Sequence, residues 1–155
     1  MQQPRRGDTW FEGLVNDLEP RLRHALVALY GQEQGRDATA EALAYAWEHR
    51  ERIKSMTNAA GYLYRVGRSR GRNRRLTPRF EPIQPDSWPD LEPGLPGALH
   101  GLSERQRLTV VMVHGYGYNR REVASLLDIS VSSVDTHLAR GLDKLRKKLG
   151  IDVHV

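Results

Sequence analysis

A cluster of prolines divides this chain of 155 residues into two parts, because six of its eight prolines fall within residues 76–96. Proline removes a backbone donor and disfavours helix at the residue before it, so this segment predicts a linker. As polyproline II it would reach up to about 65 Å. We therefore expect a unit over residues 1–75, the linker over 76–96 and a second unit over 97–155, with the two units moving separately in solution.

The positive charge is concentrated in two stretches of the chain. There are 24 basic and 19 acidic residues, giving a net charge of +5. Residues 51–75 carry a net charge of +7 and residues 101–155 a net charge of +3, whereas residues 1–50 and 76–100 are net negative. Concentrated positive charge favours a phosphate backbone, because each neutralised phosphate releases a counterion. The pattern predicts a polyanionic partner.

Several kinds of site are excluded by what the chain lacks. It has no cysteine, which removes disulfide frameworks, thiolate metal sites and cysteine nucleophiles. Its six histidines show no metal-ligand spacing, and there is no phosphate-binding loop. We therefore expect no metal, no cofactor and no enzyme activity. No segment approaches the ~20 apolar residues of a membrane helix or resembles a secretory signal, so we expect a cytoplasmic protein without membrane contact.

Helical periodicity runs through the N-terminal unit. Apolar residues recur at helical spacing over residues 10–18, and Pro20 suits the first turn of a following helix. Asp37 is a plausible N-cap for an alanine-rich helix, and a further helix spans about residues 58–75. No strand alternation of useful length occurs. The predicted fold class is all-α.

The last of these helices is rich in arginine, with six arginines and no acid in residues 65–75. Its helical projection puts Tyr64, Arg65, Arg68 and Arg72 on the side opposite the apolar face. Guanidinium groups bind phosphates in a bidentate manner, and a tyrosine ring can stack on bases. The helix predicts a polyanion-binding surface, with a solvated helix face as the alternative.

The C-terminal unit carries the signals of a helix-turn-helix. Ser103 and Gln106 fit a capping box, and Asn119 and Ser130 are predicted N-caps of the two helices that follow. Asp128 falls at the turn between them, where a left-handed backbone is often needed. A short helix, a tight turn and a longer helix form the arrangement that places its second helix in the DNA major groove.

The final helix has one apolar stripe and one polar face. The stripe consists of Val134, Leu138, Leu142, Leu145 and Leu149. Ser132, Thr136 and Arg140 point away from the stripe, and Ser133, Asp135 and His137 lie on its flanks. Small or hydrogen-bonding residues suit a groove about 12 Å wide, so this face predicts DNA binding. The alternative is an ordinary hairpin of two helices with a polar outer face.

Taken together, the two units resemble bacterial RNA polymerase sigma factors of the small extracytoplasmic-function group. Sigma region 4 is similar to LPGALHGLSERQRLTVVMVHGYGYNRREVASLLDISVSSVDTHLARGLDKLRKKL. Sigma region 2 is similar to DATAEALAYAWEHRERI followed by NAAGYLYRVGRSRGRNRR. The resemblance implies two small helical domains, a region 2-like bundle and a region 4-like helix-turn-helix, joined by the proline-rich linker. It also implies a factor that directs core RNA polymerase to specific promoters and initiates transcription.

The resemblance implies roles for particular residues. The upstream promoter element would be bound by Arg120, Arg121, Ser132, Ser133, Asp135, Thr136, His137 and Arg140. The opened promoter strand would be bound by Lys54, Asn58, Tyr64, Arg65, Arg68 and Arg72. Core polymerase would be bound by Asp37, Glu41 and Trp47. The implied partners are core RNA polymerase, promoter DNA and an anti-sigma factor.

The sequence departs from the family pattern at several positions. Ser69 and Asn73 stand where the family often has asparagine and aspartate, and alanines replace much of the acidic run before Trp47. Asp135 stands where a basic residue is usual, and its carboxylate can accept a hydrogen bond from a cytosine amine. Two alternatives follow: a sigma-like DNA-binding regulator that does not initiate transcription, and a protein-interaction module whose arginine helix binds an acidic partner.

Overall fold

The computed structural model describes residues 9–73 and 94–151, and every regular element in these two ranges is helical. The first range forms α1 (Thr9–Tyr30), α2 (Gln32–Glu48), α3 (Arg50–Lys54) and α4 (Ala59–Asn73). The second forms α5 (Leu95–His100), α6 (Glu104–Val110), a π-helical turn (Val111–Gly115), α7 (Arg120–Leu127) and α8 (Val131–Leu149). The predicted all-α class is confirmed. The predicted linker lies outside the described residues up to position 93.

The first unit is a bundle of α1, α2 and α4 around a leucine core. Leu22, Leu26 and Leu29 of α1 are fully buried, as is Leu63 of α4. The face of α2 that lies against them is made of small residues, which allow the helix axes to approach closely: Gly35, Ala38, Ala42 and Ala46. Burial of these side chains is the main stabilising contribution to the unit.

Two helix boundaries in this unit differ from the predictions. Pro20 does not begin a helix, because α1 runs through it from Thr9 to Tyr30. A proline inside a helix costs about 3 kcal/mol, and the buried side chains of Leu18 and Leu22 on either side offset it. Asp37 is not an N-cap, since α2 begins at Gln32 and Asp37 is exposed in its second turn.

The predicted caps of the second unit are confirmed. The Ser103 side chain accepts a hydrogen bond from the Gln106 backbone N–H, and the Gln106 side chain accepts one from the Ser103 N–H. Asn119 caps α7, and Ser130 caps α8. Between α7 and α8 the backbone of Asp128 is left-handed, with φ of 55°. These local devices set the turn of the helix-turn-helix.

The predicted apolar stripe of α8 packs inward. Val134, Leu138 and Leu145 are buried, and Leu142 and Leu149 are half-buried. They lie against α6 and α7, whose Leu108, Val123 and Leu126 are fully buried. The opposite face of α8 is therefore left to solvent, as the periodicity predicts.

The two units pack against each other, contrary to the expectation of separate motion. α4 lies on α7, and α1 lies on α6 and the π-helical turn. Their backbones approach closely at Gly61 of α4, where a Cβ atom would lie 2.6 Å from the carbonyl oxygen of Ser125. Proline content describes a linker but carries no information about whether the surfaces at its two ends attract each other.

Candidate nucleic-acid interface

The outer face of α8 is the predicted groove-binding surface, and the structure leaves it open. Ser132, Asp135, Thr136 and Arg140 are exposed on this face. The Thr136 hydroxyl donates to the carbonyl of Ser132 at 3.0 Å, so its lone pairs remain directed outward. Small hydroxyl residues near the start of the helix and a long cation further along give a surface that fits a major groove.

A group of serine hydroxyls surrounds the first turn of α8. The Ser130 side chain accepts from the Ser133 backbone N–H at 3.0 Å, and its own hydroxyl donates to the Ser133 hydroxyl at 2.9 Å. The Ser132 hydroxyl lies 3.3 Å from Ser130 Oγ. Ser133 is thus part of the cap, whereas Ser132 keeps an exposed hydroxyl. The partial positive charge of the helix N-terminus favours a phosphate close to these groups.

An ion pair links two of the predicted DNA-binding residues. Arg120 Nε lies 2.5 Å from Asp135 Oδ1, joining the start of α7 to the outer face of α8. The pair neutralises the carboxylate that would otherwise repel a phosphate. Arg121, its neighbour, is exposed. The His137 side chain is half-buried beside them, and burial, with the nearby Arg105 and Arg140, lowers the pKa of its imidazole.

Two predicted strand-binding residues lie at the ends of the connection between α3 and α4: Lys54 is the last residue of α3, and Asn58 immediately precedes α4. The Lys54 ammonium is exposed and lies 5.4 Å from the centre of the Trp10 ring. The Asn58 side chain accepts from the Gly61 N–H at 3.1 Å and donates to the Ser125 carbonyl at 2.8 Å. Asn58 therefore caps α4 and holds it to α7, which occupies both ends of its amide.

The placement of Tyr64 on the exposed side of α4 is wrong. Its side chain is only 5 % exposed, and burial raises the pKa of its hydroxyl far above the ordinary range. Arg68 of the same helix and Glu104 of α6 lie close enough to influence that hydroxyl. The helical projection assumed one packing face, whereas α4 has two: one against α1 and α2, and a second against the other unit.

The predicted strand-binding arginines of α4 meet the carboxylates of the second unit. Arg68 lies 2.5 Å from Glu104, and Arg65 lies 3.3 Å from Asp128. The side chain of Arg72 lies outside the described part of the structure. Arg107 is buried nearby, and its Nε has no hydrogen-bond partner among the described residues. Burial lowers the pKa of this guanidinium, while Glu104 acts in the opposite direction.

An aromatic groove that sequence reasoning missed lies beside Arg65. It has a volume of about 380 Å³ and is lined by Tyr45, Tyr62, Arg65, Val66, Ser69 and Arg70. The hydroxyls of Tyr45 and Tyr62 are 2.9 Å apart, which fixes both rings. The Arg65 guanidinium carbon lies 6.0 Å from the centre of the Tyr62 ring. Tyr62, rather than Tyr64, is the tyrosine that faces outward near the arginines.

The exposed face of α2 contains the predicted polymerase-binding residues. Asp37 is exposed, Glu41 is half-buried, and the Trp47 side chain is 41 % exposed at the far end of the helix. Phe11 meets the Trp47 ring edge-on at 5.1 Å, and the Arg50 guanidinium lies 4.2 Å from its centre. Asp37 and Glu41 thus lie in the first half of α2, and Trp47 lies in an aromatic and cationic group at its end.

A histidine at the junction of the two units was not anticipated. The His24 ring of α1 stacks on Tyr116 at 3.9 Å, and its Nδ1 is 2.8 Å from the Tyr118 hydroxyl. Burial lowers the pKa of His24, Arg23 lowers it further, and Glu19 acts in the opposite direction. The partners lie 92 and 94 residues away in the chain, so periodicity gave no signal for them.

We expect the folded chain to become less stable as the pH is lowered, because His24 is harder to protonate in the folded chain than in the unfolded one. Its pKa in the folded chain is below 6.5, so the unfolded chain takes up the proton more readily. The contribution is full above pH 6.5 and is lost as the pH falls towards the lowered pKa. Between about pH 7.5 and about pH 5.5 the Tm of the native chain should drop more than that of His24→Gln. Parallel Tm profiles would contradict this, since all other histidines are common to both proteins.

Two negative findings apply to the described ranges. No helix there is long and apolar enough to cross a lipid bilayer. Within the same ranges, no three histidine or carboxylate side chains come together as possible metal ligands.

Comparison with known proteins gives a family match and solved structures of similar fold, one of which is described here. Residues 95–145 match the family described as Sigma-70, region 4. The solved structure is the sigma factor RpoE of Bartonella quintana, in a co-crystal with the anti-sigma factor NepR. It is 19% identical with a TM-score of 0.65, and the match covers 93% of this chain and 99% of that chain. No curated protein sequence matches the chain.

The capped helix-turn-helix with an open polar face on α8 defines a DNA-binding protein of the helix-turn-helix class. Over residues 95–145, the predicted similarity to sigma region 4 is confirmed by the family match. Over the rest of the chain, the resemblance is one of fold to the solved sigma factor.

Proposed function

We propose that this sigma factor directs core RNA polymerase to specific promoters and initiates transcription there. The observation that carries the proposal is the outer face of α8, where Ser132, Thr136 and Arg140 stand exposed on a helix fixed by the Asp128 turn. A face of this kind reads base edges in a major groove. It would bind the upstream promoter element, with Arg120, Arg121, Ser133, Asp135 and His137 at its margins.

The first unit would supply the other two contacts. The acidic and aromatic surface of α2, with Asp37, Glu41 and Trp47, would bind core polymerase. The opened promoter strand would lie along α4, with its phosphates on Arg65 and Arg68 and a base in the groove beside Tyr62. Because these two partners lie in the cytoplasm, we infer that location for the chain.

A regulatory partner is part of the proposal. The sigma factor RpoE of similar fold was crystallised with an anti-sigma factor. We infer that an anti-sigma factor also holds this chain inactive. Capture of a tagged chain from its native host, followed by identification of the bound proteins, tests both this partner and core polymerase.

The test of the proposal is reconstitution with core polymerase. Genomic fragments selected by the chain would be incubated with core polymerase, with and without the chain, and strand opening would be scored by permanganate reactivity. Opening that depends on the chain is the expected result. Duplex binding without opening would favour a DNA-binding regulator, an alternative motivated by the alanines that replace much of the acidic run before Trp47. Absence of salt-dependent duplex binding would favour a protein-interaction module.

We expect Arg140→Ala to weaken binding to a selected promoter duplex by about 1–3 kcal/mol, with little change on unrelated duplex. The reason is that Arg140 lies on the exposed, groove-facing side of α8. Arg146→Ala is the matched control, because it removes the same charge from the last turn of the same helix. Equal losses on both duplexes would make Arg140 a phosphate contact instead.

A further inference from the structure

The two units meet through paired charges, and both cations belong to α4. Arg68 and Glu104 approach to 2.5 Å, with about one third of each side chain exposed. Arg65 and Asp128 approach to 3.3 Å, and both are mostly exposed. The carboxylates come from the start of α6 and from the turn of the helix-turn-helix. The Arg68–Glu104 pair is thus more shielded from solvent, and less screened by salt, than the Arg65–Asp128 pair.

In the proposed function, Arg65 and Arg68 bind the phosphates of the opened strand. A carboxylate presents its oxygens to a guanidinium with nearly the same geometry as a phosphate does. A strand phosphate and the Glu104 carboxylate therefore compete for Arg68, and the same holds for Asp128 at Arg65. Tyr64 and Arg107 are buried near these pairs, so breaking the contact also exposes polar groups to water.

We propose that the second unit is an intramolecular competitor of the opened promoter strand, with Glu104 and Asp128 in the place of two strand phosphates. This inference rests on the proposed function. The upstream-binding face is not affected, because Thr136 and Arg140 of α8 remain exposed while the units are closed. The free chain then binds duplex DNA but excludes single strands. Separation of the two units releases Arg65 and Arg68 for the strand.

The remaining contacts between the units make this closed arrangement specific. Asn58 donates to the Ser125 carbonyl, and Gly61 leaves room for that carbonyl against α4. At the other end, His24 stacks on Tyr116. None of these contacts involves a charge that a strand would bind. They can therefore be disturbed separately from the ion pairs, which gives two independent ways to open the chain.

Two variants open the chain by different means. Glu104→Gln with Asp128→Asn removes both carboxylate charges and keeps the size of the side chains. Gly61→Ala keeps every charge but puts a methyl group 2.6 Å from the Ser125 carbonyl oxygen and 2.6 Å from the Asn58 amide. Alanine is favoured over glycine inside a helix, which offsets part of the disturbance that the methyl group causes to the Asn58 cap of α4. The control is Asp17→Asn with Asp143→Asn, which removes two exposed carboxylates outside the contact.

The binding measurement uses a fluorescein-labelled single strand of about 20 random nucleotides, with a selected promoter duplex in parallel. We expect both opening variants to bind the single strand about tenfold more tightly than the native chain, the gain for a closed form that holds roughly 90 % of molecules. Duplex affinity and the control variant should change much less. A gain in Glu104→Gln with Asp128→Asn no larger than that of the control would reduce the effect to net charge and overturn the inference.

A structural measurement separates closure from strand binding. The chain has no cysteine, so spin labels can be placed at Gln34→Cys on α2 and Lys148→Cys on α8 without other changes. We expect one narrow distance distribution in the native background and a broader, longer one in both opening variants. A distribution that is already broad in the native background overturns the closed arrangement.

The combined readouts also distinguish the two proposals from each other. If the variants open by the distance measurement but no form of the chain binds single strands, the strand-binding part of the proposed function fails. If native and opened chains bind single strands equally, the proposed function stands and the competitor role fails. If Arg65→Ala with Arg68→Ala leaves strand binding of the opened chain intact, these two arginines do not bind the strand, and both the strand-binding proposal and the competitor role fail.

Discussion

Gly35→Ala is expected to destabilise the first unit by about 3 kcal/mol, the upper part of the range for overpacked sites. A Cβ atom at this position would lie 2.4 Å from Val27 Cα and 2.8 Å from the Leu26 carbonyl carbon. Both neighbours are backbone atoms of α1, so no side-chain rotation can relieve the overlap. The two helices would have to move apart where α2 crosses α1. Urea unfolding followed by circular dichroism measures the loss.

Gly13→Ala is the matched control for this substitution. Gly13 also lies inside a helix, but nothing is within 4 Å of the position of its Cβ atom. Alanine there should stabilise the chain by roughly 0.5–1 kcal/mol, because only the helix propensity changes. The two substitutions are chemically identical and are expected to act in opposite directions. A loss below 1 kcal/mol for Gly35→Ala would show that α1 and α2 can separate at little cost.

The parts of the fold that the sequence predicts well are those set by short-range interactions. The caps by Ser103, Asn119 and Ser130 each need only a hydroxyl or amide and an N–H three residues later, and all three are present. The left-handed Asp128 is of the same kind. The stripe on α8 follows from one helical period, so its buried and exposed sides were also predictable.

The helix boundaries of the first unit depend on packing, which a local pattern does not contain. Pro20 is a helix breaker by propensity, yet α1 continues through it because Leu18 and Leu22 are buried on both sides. Asp37 has the chemistry of an N-cap, but the contact of Gly35 with α1 holds an earlier turn in helical form. In both places tertiary burial outweighs the local preference.

The candidate site was predictable on one unit and only partly on the other. The outer residues of α8 face solvent, as their spacing indicates, because this helix packs on one side only. α4 packs on two sides, and its second neighbour comes from residues beyond the linker. The burial of Tyr64 and the pairing of Arg65 with Asp128 therefore depend on contacts across more than 60 positions of the sequence. Composition and periodicity contain no term for such contacts.

In the folded chain, part of the positive charge of residues 51–75 is paired with carboxylates of the second unit. Residues 51–75 carry a net charge of +7, which as a sequence indicates a surface ready for a polyanion. In the structure, Glu104 and Asp128 approach two of those cations, so two carboxylates of the same chain already occupy part of the surface. Among the described residues, no carboxylate is paired with Arg140 on the proposed upstream-binding face of α8, whereas Asp135 engages Arg120. We infer that the two DNA contacts are available at different stages, first α8 and then α4.

Leu126→Ala is expected to destabilise the helix-turn-helix by about 3 kcal/mol, within the range for buried leucines. The Leu126 side chain is 1 % exposed and lies in the core between α7 and α8, close to Val123 and Val134. The unit described over residues 94–151 is small, so a loss of this size is a large share of its stability. The position of α8 over α7 depends on this core, and duplex binding should fall with it at physiological temperature.

Leu127→Ala supplies the comparison. Leu127 is the next residue in the chain, and its side chain is only half-buried, so its removal should destabilise the unit by about 1 kcal/mol. Thermal unfolding measures both variants, and duplex binding is measured well below and close to the lower Tm. If the loss for Leu126→Ala is structural, its duplex affinity should return towards the native value on cooling. Affinity that stays low in a fully folded Leu126→Ala chain would mean that the core sets the angle of α8 directly. The DNA-binding face would then depend on packing geometry as well as on the stability of the unit.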